Sequence, residues 1–281
     1  MYDFYFGSAD EIAADETKFL VSIKRMMPRW INSIPDSEFI ALARLLDEQG
    51  AAATPERELV AVETGTGASS LALAFYALKY DGIAYSWDMN GAKGSAIRRV
   101  CTETMGNYFH KHVDDHWKLV AYDSLSPHLG LTVLGDLVDH VDLFFHDSEH
   151  VWTTVRGELE AVMPLLRDGA VVALDDANQD FLHTNLGYVN TLRRKLGLAP
   201  VPAVEGNATE AFYKQTERLL YERWAQVEHL PDLYKERVRS DPYFAYYDAE
   251  FEIKADLGTE RTESLEHRFD SWRVSGRREH G

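Results

Sequence analysis

The sequence predicts an α/β fold, a doubly wound and mostly parallel sheet with helices on both faces. Three observations carry that prediction. The first is a short aliphatic run, Leu59–Val62, that ends at Glu63 and enters a turn built on Gly65 and Gly67 before the helix-forming stretch Leu71–Leu78. A run of this kind, free of Gly and Pro, reads as a buried strand of a parallel sheet. The second is repetition: Gly82–Asp88, Trp117–Asp123, Val141–Asp147 and Gly169–Asp175 are further short runs that each close on an acid, with helical stretches between them. The third is length. A chain of 281 residues can bury a full core, and no apolar run in it reaches the length of a membrane span.

Charge narrows the partners. Against 29 Lys and Arg stand 46 Asp and Glu, a net charge of −17. Such a surface repels phosphate backbones and anionic lipid headgroups, so neither a nucleic-acid partner nor a membrane is expected. The single Cys101 excludes a disulfide framework and fits a reducing compartment. The segment Met1–Phe6 lacks the basic region of a signal sequence. The expectation is a soluble, cytoplasmic protein.

Residues 1–55 read as an N-terminal helical cap. Ser8-Ala9-Asp10-Glu11 offers an N-cap, and Phe19, Leu20, Ile23, Met26 and Met27 mark an apolar face at helical spacing. Pro28 breaks the pattern, and Pro35 to Glu38 begins a second helix carrying Phe39, Ile40, Leu42, Leu45 and Leu46. Between them lie Trp30 and the cations Lys24, Arg25 and Arg29. Two readings stand: a packed Trp with solvated cations, or a lid whose cation reaches a ligand carboxylate.

The central segment, 56–204, opens on the glycine turn. A dinucleotide fingerprint needs a third glycine where Ser70 stands, and a Walker loop needs a lysine that the turn lacks. What remains is Glu63-x-Gly65-x-Gly67. A carboxylate there opposes a pyrophosphate and welcomes a cationic amino-acid group. Asp88 follows Gly67 by 21 residues. An acid at this place can accept hydrogen bonds from both hydroxyls of a ribose, with a helix N-cap as the alternative. Asn90 and Ser95 stand in the Gly-rich turn that follows. The stretch 95–112 reads as a helix containing Ile97, Val100, Met105 and a buried, unactivated Cys101. The next strand ends at Asp123-Ser124. After it come strand Val141–Asp147, a helix over 153–167, and strand Gly169–Asp176.

In open α/β sheets the ligand crevice lies beyond the carboxyl ends of the strands. Asp147, Asp175 and Asp176 are therefore expected in one small volume. Three carboxylates together repel unless a cation neutralises them. All-oxygen ligation suits Mg2+, which could chelate a diol or a hydroxyl beside a carbonyl. The alternative is that one acid caps a helix and another bonds the backbone.

The turn Glu63-Thr64-Gly65-Thr66-Gly67 resembles motif I of the class I S-adenosylmethionine (AdoMet) methyltransferases. Three further patterns are Phe144-Phe145-His146-Asp147-Ser148-Glu149-His150, Pro164–Ala170, and Asp175-Asp176-Ala177-Asn178. Together they resemble the metal-dependent small-molecule O-methyltransferases of the catechol and macrolide-sugar types, over roughly residues 56–180. The resemblance implies a Rossmann-like AdoMet-binding domain at 56–204. It implies cofactor contacts from Glu63, Gly65, Thr66, Gly67, Ser69, Ser70, Asp88, Asn90, Asp123, Ser124 and Asp147, and Mg2+ on Asp147, Asp175 and Asp176. His150 falls where catechol-type enzymes carry a lysine base. Imidazole suits proton removal at neutral pH, so His150 and Asp147 are the candidate catalytic residues. The rival role for His150 is a helix-start residue or a substrate hydrogen-bonder.

Residues 205–281 read as a C-terminal extension. His183–Leu196 is expected to be a helix, Leu198–Val204 an edge segment, and Glu210–Val227 a long amphipathic helix. Tyr243–Phe251 alternates as a strand whose aromatic run would serve core, oligomer contact or acceptor pocket. The tail Ser275–Gly281 is expected to be disordered. The expected function is Mg2+-assisted methyl transfer to a hydroxyl of a small metabolite, or of a sugar in a glycan or natural product. The alternatives are a metal-free AdoMet enzyme with nitrogen-methyl or non-methyl chemistry, and a non-catalytic AdoMet-binding regulator.

Overall fold

The computed structural model describes residues 8–28, 31–32, 34–54, 57–121, 130–150, 152–175, 177, 194–195, 197, 199, 212–230 and 269–278. Helices α1 (Ala9–Ala14), α2 (Glu16–Met26) and α3 (Asp36–Ala51) precede strand β1 (Val60–Thr64). Then come α4 (Ser69–Lys79), β2 (Ile83–Asp88), α5 (Gly91–Cys101), β3 (Trp117–Ala121), β4 (Val141–His146), α6 (Trp152–Val162) and β5 (Leu166–Leu174). The chain closes with α7 (Phe212–Arg223), β6 (Trp224–Leu230) and β7 (Asp270–Arg277). The strands form one seven-stranded sheet in the order β3-β2-β1-β4-β5-β7-β6. The first five are parallel, and β7 runs antiparallel to both β5 and β6. The doubly wound, Rossmann-like sheet expected from the sequence is the sheet observed. Its order reverses between β1 and β4, which places the crevice at their carboxyl ends.

Both faces of the sheet are covered, which is why β1 and β4 are buried at every position. On one face Phe19, Leu20, Phe39, Leu42, Leu71 and Phe75 of α2, α3 and α4 pack over Ala61, Leu143 and Phe145. On the other, Val155 and Leu159 of α6 and Phe212 and Leu220 of α7 pack over Val62, Phe144, Trp224 and Trp272. Burial of this kind supplies the main stabilisation, at about 25 cal/mol per Å² of apolar surface.

Several expectations change. The helix expected over 95–112 starts at Gly91, because the Asn90 side chain accepts the Lys93 N–H and caps it; it then passes into a π turn at Thr102–Gly106. The helix expected over 153–167 ends at Val162, and Leu166 already pairs with Val141. Pro164 stands just after that end, where a helix could not use its missing N–H. The helix expected over 210–227 stops at Arg223, and the chain continues directly into β6. Trp224 and Val227 are buried three residues apart, a spacing that reads as helical. They are strand residues because β6 hydrogen-bonds to β7, which local sequence cannot reveal. The tail is not disordered throughout: Ser275–Arg277 complete β7, with Ser275 opposite Gln226 and Arg277 opposite Trp224.

Lys24 and Arg25 are not solvated. Lys24 is buried and Arg25 partly buried against Asp36, with Nζ 2.7 Å and Nη2 2.6 Å from its carboxylate oxygens. Trp30, Arg29, the stretch Tyr243–Phe251 and most of 183–204 lie outside the described residues. No helix among the described residues is long and apolar enough to cross a membrane.

Candidate active site

The turn after β1 is stitched into the protein at four successive N–H groups. Gly65 donates to the Trp87 carbonyl at 2.8 Å, and Thr66 to Asp88 Oδ2 at 2.7 Å. Gly67 donates to Ser70 Oγ at 3.2 Å, and Ala68 to the Ile31 carbonyl at 3.1 Å. The N-terminal segment thus buttresses the turn from above. Gly65 has φ +87°, and a Cβ there would come within 1.8 Å of the Asp147 carbonyl oxygen. Its missing side chain makes room for the backbone after β4.

Glu63 lies beneath the turn with no exposed surface. Its Oε1 accepts the Ser70 hydroxyl and, at 2.5 Å, the Ser86 hydroxyl; Ser86 in turn accepts the Trp117 indole N–H at 2.7 Å. Burial pushes the carboxyl from an ordinary 4.5 up to about 7, against the opposing pull of those hydroxyls and of Lys93. Ser69 and Ser70 are equally buried at the start of α4. Cys101, also buried, has its thiol pushed up to about 12 by burial, which makes it inert.

Beside the turn is a cleft of about 240 Å3 lined by Gly65, Trp87, Asp88, Met89, Lys93, Asp147, Ser148 and Glu149. Asp88 Oδ1 accepts the Asn90 N–H at 2.7 Å, and Lys93 Nζ stands 4.0 Å from Oδ2. Each oxygen keeps a further lone pair for a ligand. Met89, at 69 % exposure, offers an apolar surface at the cleft. Of the expected contacts, Gly65, Asp88 and Asp147 line this space, Thr66 and Gly67 form the adjoining turn, and Asn90 caps α5. Asp123 and Ser124 lie outside the described residues. Sequence reasoning passed over Met89, Lys93, Ser148 and Glu149. The available signal was position: Met89 follows the acid of β2, and Lys93 is in the first turn of α5.

Asp147, His150 and Asp175 each bring one donor atom within 4.8 Å of the others. The two acids sit on adjacent strand ends because the ladder runs one step further, Asp147 N–H to the Thr64 carbonyl at 2.8 Å and Asp175 N–H to the His146 carbonyl at 3.0 Å. Asp176, the third expected ligand, lies outside the described residues. His150 Nε2 is 3.6 Å from Asp147 Oδ1. Carboxylate and imidazole donors converging in this way suit a divalent cation.

Behind the cluster is a buried network that sequence reading missed. Glu158 accepts the Thr64 hydroxyl at 2.5 Å and the Ser148 hydroxyl at 2.7 Å, and pairs with His146 Nδ1 at 2.7 Å. The His146 ring meets the His150 ring nearly edge-on, with centroids 5.5 Å apart. The signal lay in α6, where Glu158 stands inside the apolar stripe of Val155, Leu159 and Val162.

Residues 62–177 match a family model described as a methyltransferase domain. No curated protein matches the chain. Among solved structures, the O-methyltransferase TomG of Streptomyces achromogenes, involved in tomaymycin synthesis and solved with SAM, is similar at 13% identity over 93% of this chain and 90% of its own, with a TM-score of 0.49. An O-methyltransferase of Bacillus cereus solved with SAH is similar at 11% identity over 98% and 100%, TM-score 0.48. The magnesium protoporphyrin IX methyltransferase ChlM of Synechocystis PCC 6803, solved with SAH, is similar at 11% identity over 84% and 81%, TM-score 0.46. Likenesses this distant carry nothing about activity.

Proposed function

We propose, from the match of residues 62–177 to a methyltransferase-domain family model, that this chain transfers the methyl group of AdoMet to a hydroxyl oxygen of a small molecule. The observation that carries the choice of donor is the bonding of the turn. Its four N–H groups are all used inside the protein, so it offers no nest for a pyrophosphate of the kind that dinucleotide and Walker loops present. The cleft beside it is instead bounded by the carboxylates of Asp88 and Asp147, which suit hydroxyls and a cationic group. The Thr66 hydroxyl, buried and without a partner, adds a polar atom at the turn.

AdoMet, when bound, supplies the sulfonium methyl group for in-line transfer. Asp88 is placed to accept from ribose hydroxyls while holding Thr66 and Asn90, and Met89 presents an apolar face to the base. Asp147 and Asp175 would hold a divalent cation, Mg2+ on the family resemblance, with His150 beside them. When bound, that cation lowers the pKa of an acceptor hydroxyl. Asp147 and His150 are the groups of the cluster that can take the hydroxyl proton. Positioning of the two reactants and exclusion of water supply the larger part of the rate. A small metabolite or a sugar fits as acceptor, because a net charge of −17 disfavours nucleic acid.

Titration calorimetry with AdoMet and with its demethylated product tests the donor. Micromolar binding that weakens in Asp88→Ala is expected, and absence of heat with either ligand overturns the proposal. Methyl transfer to catechol or sugar acceptors, lost with EDTA and restored by a divalent salt, tests the metal. Turnover that survives EDTA assigns the domain to metal-free chemistry.

A further inference from the structure

We propose that Lys93 is a specificity-determining residue of the cleft, and that with Asp88 it clamps one ribose hydroxyl of the cofactor, which accepts from Lys93 Nζ and donates to Asp88. The inference rests on the methyltransferase reading of the cleft and adds to it a side chain that reads the sugar.

Local physics does not favour a lysine at this place. Lys93 is the third residue of α5, whose start is capped by the Asn90 side chain accepting the Lys93 N–H at 3.1 Å. The partial positive charge of a helix N-terminus opposes a cation in its first turn, whereas Arg98 and Arg99 stand in the last turn of the same helix, where cations are welcome. The side chain is not left in water either. It is 22 % exposed and lines the cleft. Its Nζ stands 3.8 Å from the place a Cβ on Gly67 would take, so it reaches across from α5 to the turn after β1. On the other side Nζ is 4.0 Å from Asp88 Oδ2. At that distance the two charges attract without sharing a hydrogen bond. Among the described residues no acceptor lies within hydrogen-bond reach of Nζ.

The gap between the two groups fits one atom. An ammonium carries three donors, and Asp88 keeps a lone pair on each oxygen beyond those that take the Thr66 and Asn90 N–H groups. An oxygen about 2.8 Å from both Nζ and Oδ2 spans the separation, with an angle of about 90° at that oxygen. To satisfy both sides it must accept from the ammonium and donate to the carboxylate. A hydroxyl does both. An ether or carbonyl oxygen has no hydrogen for Asp88, and an amine cation has no lone pair for Lys93. The amino-acid end of the cofactor is turned away from this corner, since Lys93 repels its ammonium and Asp88 its carboxylate.

The test is titration calorimetry on the full chain with S-adenosylhomocysteine and its 2′-deoxy and 3′-deoxy analogues. For the unaltered protein, at least one deoxy analogue is expected to bind about tenfold or more weakly than the parent. In Lys93→Met the parent weakens about tenfold, and the penalty for that analogue shrinks at least about threefold because its contact was already missing. Lys93→Arg, which keeps a charged donor, recovers part of both effects. Parent affinity unchanged in Lys93→Met, or two deoxy analogues that bind the unaltered protein as well as the parent, overturns the clamp. A weaker parent with an undiminished deoxy penalty overturns it too, and puts Lys93 on another part of the cofactor. Each of these results leaves the methyltransferase reading standing; absence of parent binding to the unaltered protein removes that reading and the clamp together. Thermal melts verify that each variant is folded, and Lys93→Gln carries the same comparison should Lys93→Met melt early.

Discussion

Glu63→Gln isolates the ionisation of a carboxyl sealed beneath the glycine turn after β1. In the native protein burial raises this group from 4.5 to about 7. The folded state therefore holds its proton where the unfolded state has lost it. Its contribution to stability is fully present below pH 4.5, declines as pH rises, and is lost once pH passes about 7. At about 1.4 kcal/mol per pH unit, that gap makes ionised Glu63 cost the fold about 3 kcal/mol at alkaline pH. The substituted amide would keep an oxygen for the Ser70 and Ser86 hydroxyls and would have no charge to desolvate. Comparing urea unfolding of the two proteins from pH 5 to pH 8, the variant's relative stability should improve by about 2 to 3 kcal/mol across that range. Parallel stability curves would show that Glu63 does not titrate as its burial requires. AdoMet affinity, measured on the same samples, should change by less than about threefold, because Glu63 does not line the cleft. A much larger loss would mean that the carboxylate turns toward the ligand.

Other substitutions probe the rest of the site. Asp88→Ala removes the acceptor of the Thr66 and Asn90 N–H groups as well as the proposed ribose contact, and AdoMet affinity by calorimetry should fall about 10- to 100-fold. Gly65→Ala meets both a positive φ and the Asp147 carbonyl, so the melting temperature should drop steeply, with a loss above about 3 kcal/mol, and AdoMet binding with it. Glu158→Ala strands the Thr64, Ser148 and His146 polar groups; chemical denaturation should register about 2 to 4 kcal/mol of lost stability. Ile31 acts through its backbone, so Ile31→Val should leave AdoMet affinity within about twofold, a control that separates the carbonyl contact at Ala68 from side-chain packing.

The parallel half of the sheet was legible in the sequence because its signals are local. β1, β2, β4 and the body of β5 are short apolar runs closing on acids, and that pattern needs no distant partner to be recognised. For the same reason the strand ends that hold Gly65, Asp88, Asp147 and Asp175 could be placed before any coordinates. The antiparallel edge could not. Trp224 and Val227 keep a spacing that serves a helix as well as a strand, and their strand state depends on β7, whose first residue is Asp270.

The same division runs through the site. The sequence determined which acids stand at the strand ends, since a strand end is fixed by its own chain. Tertiary structure alone decided what those residues face. It set the Asp147 carbonyl against Gly65, the Ile31 carbonyl on the Ala68 N–H, Lys24 and Arg25 on Asp36, and Glu158 among Thr64, His146 and Ser148. These contacts join parts of the chain far apart in sequence, and in each polar pair the interaction has to offset the desolvation of both partners. One-dimensional spacing holds no record of that event. His150 shows the difference most plainly: the chain places it three residues after Asp147, and only the fold brings it beside both Asp147 and Asp175.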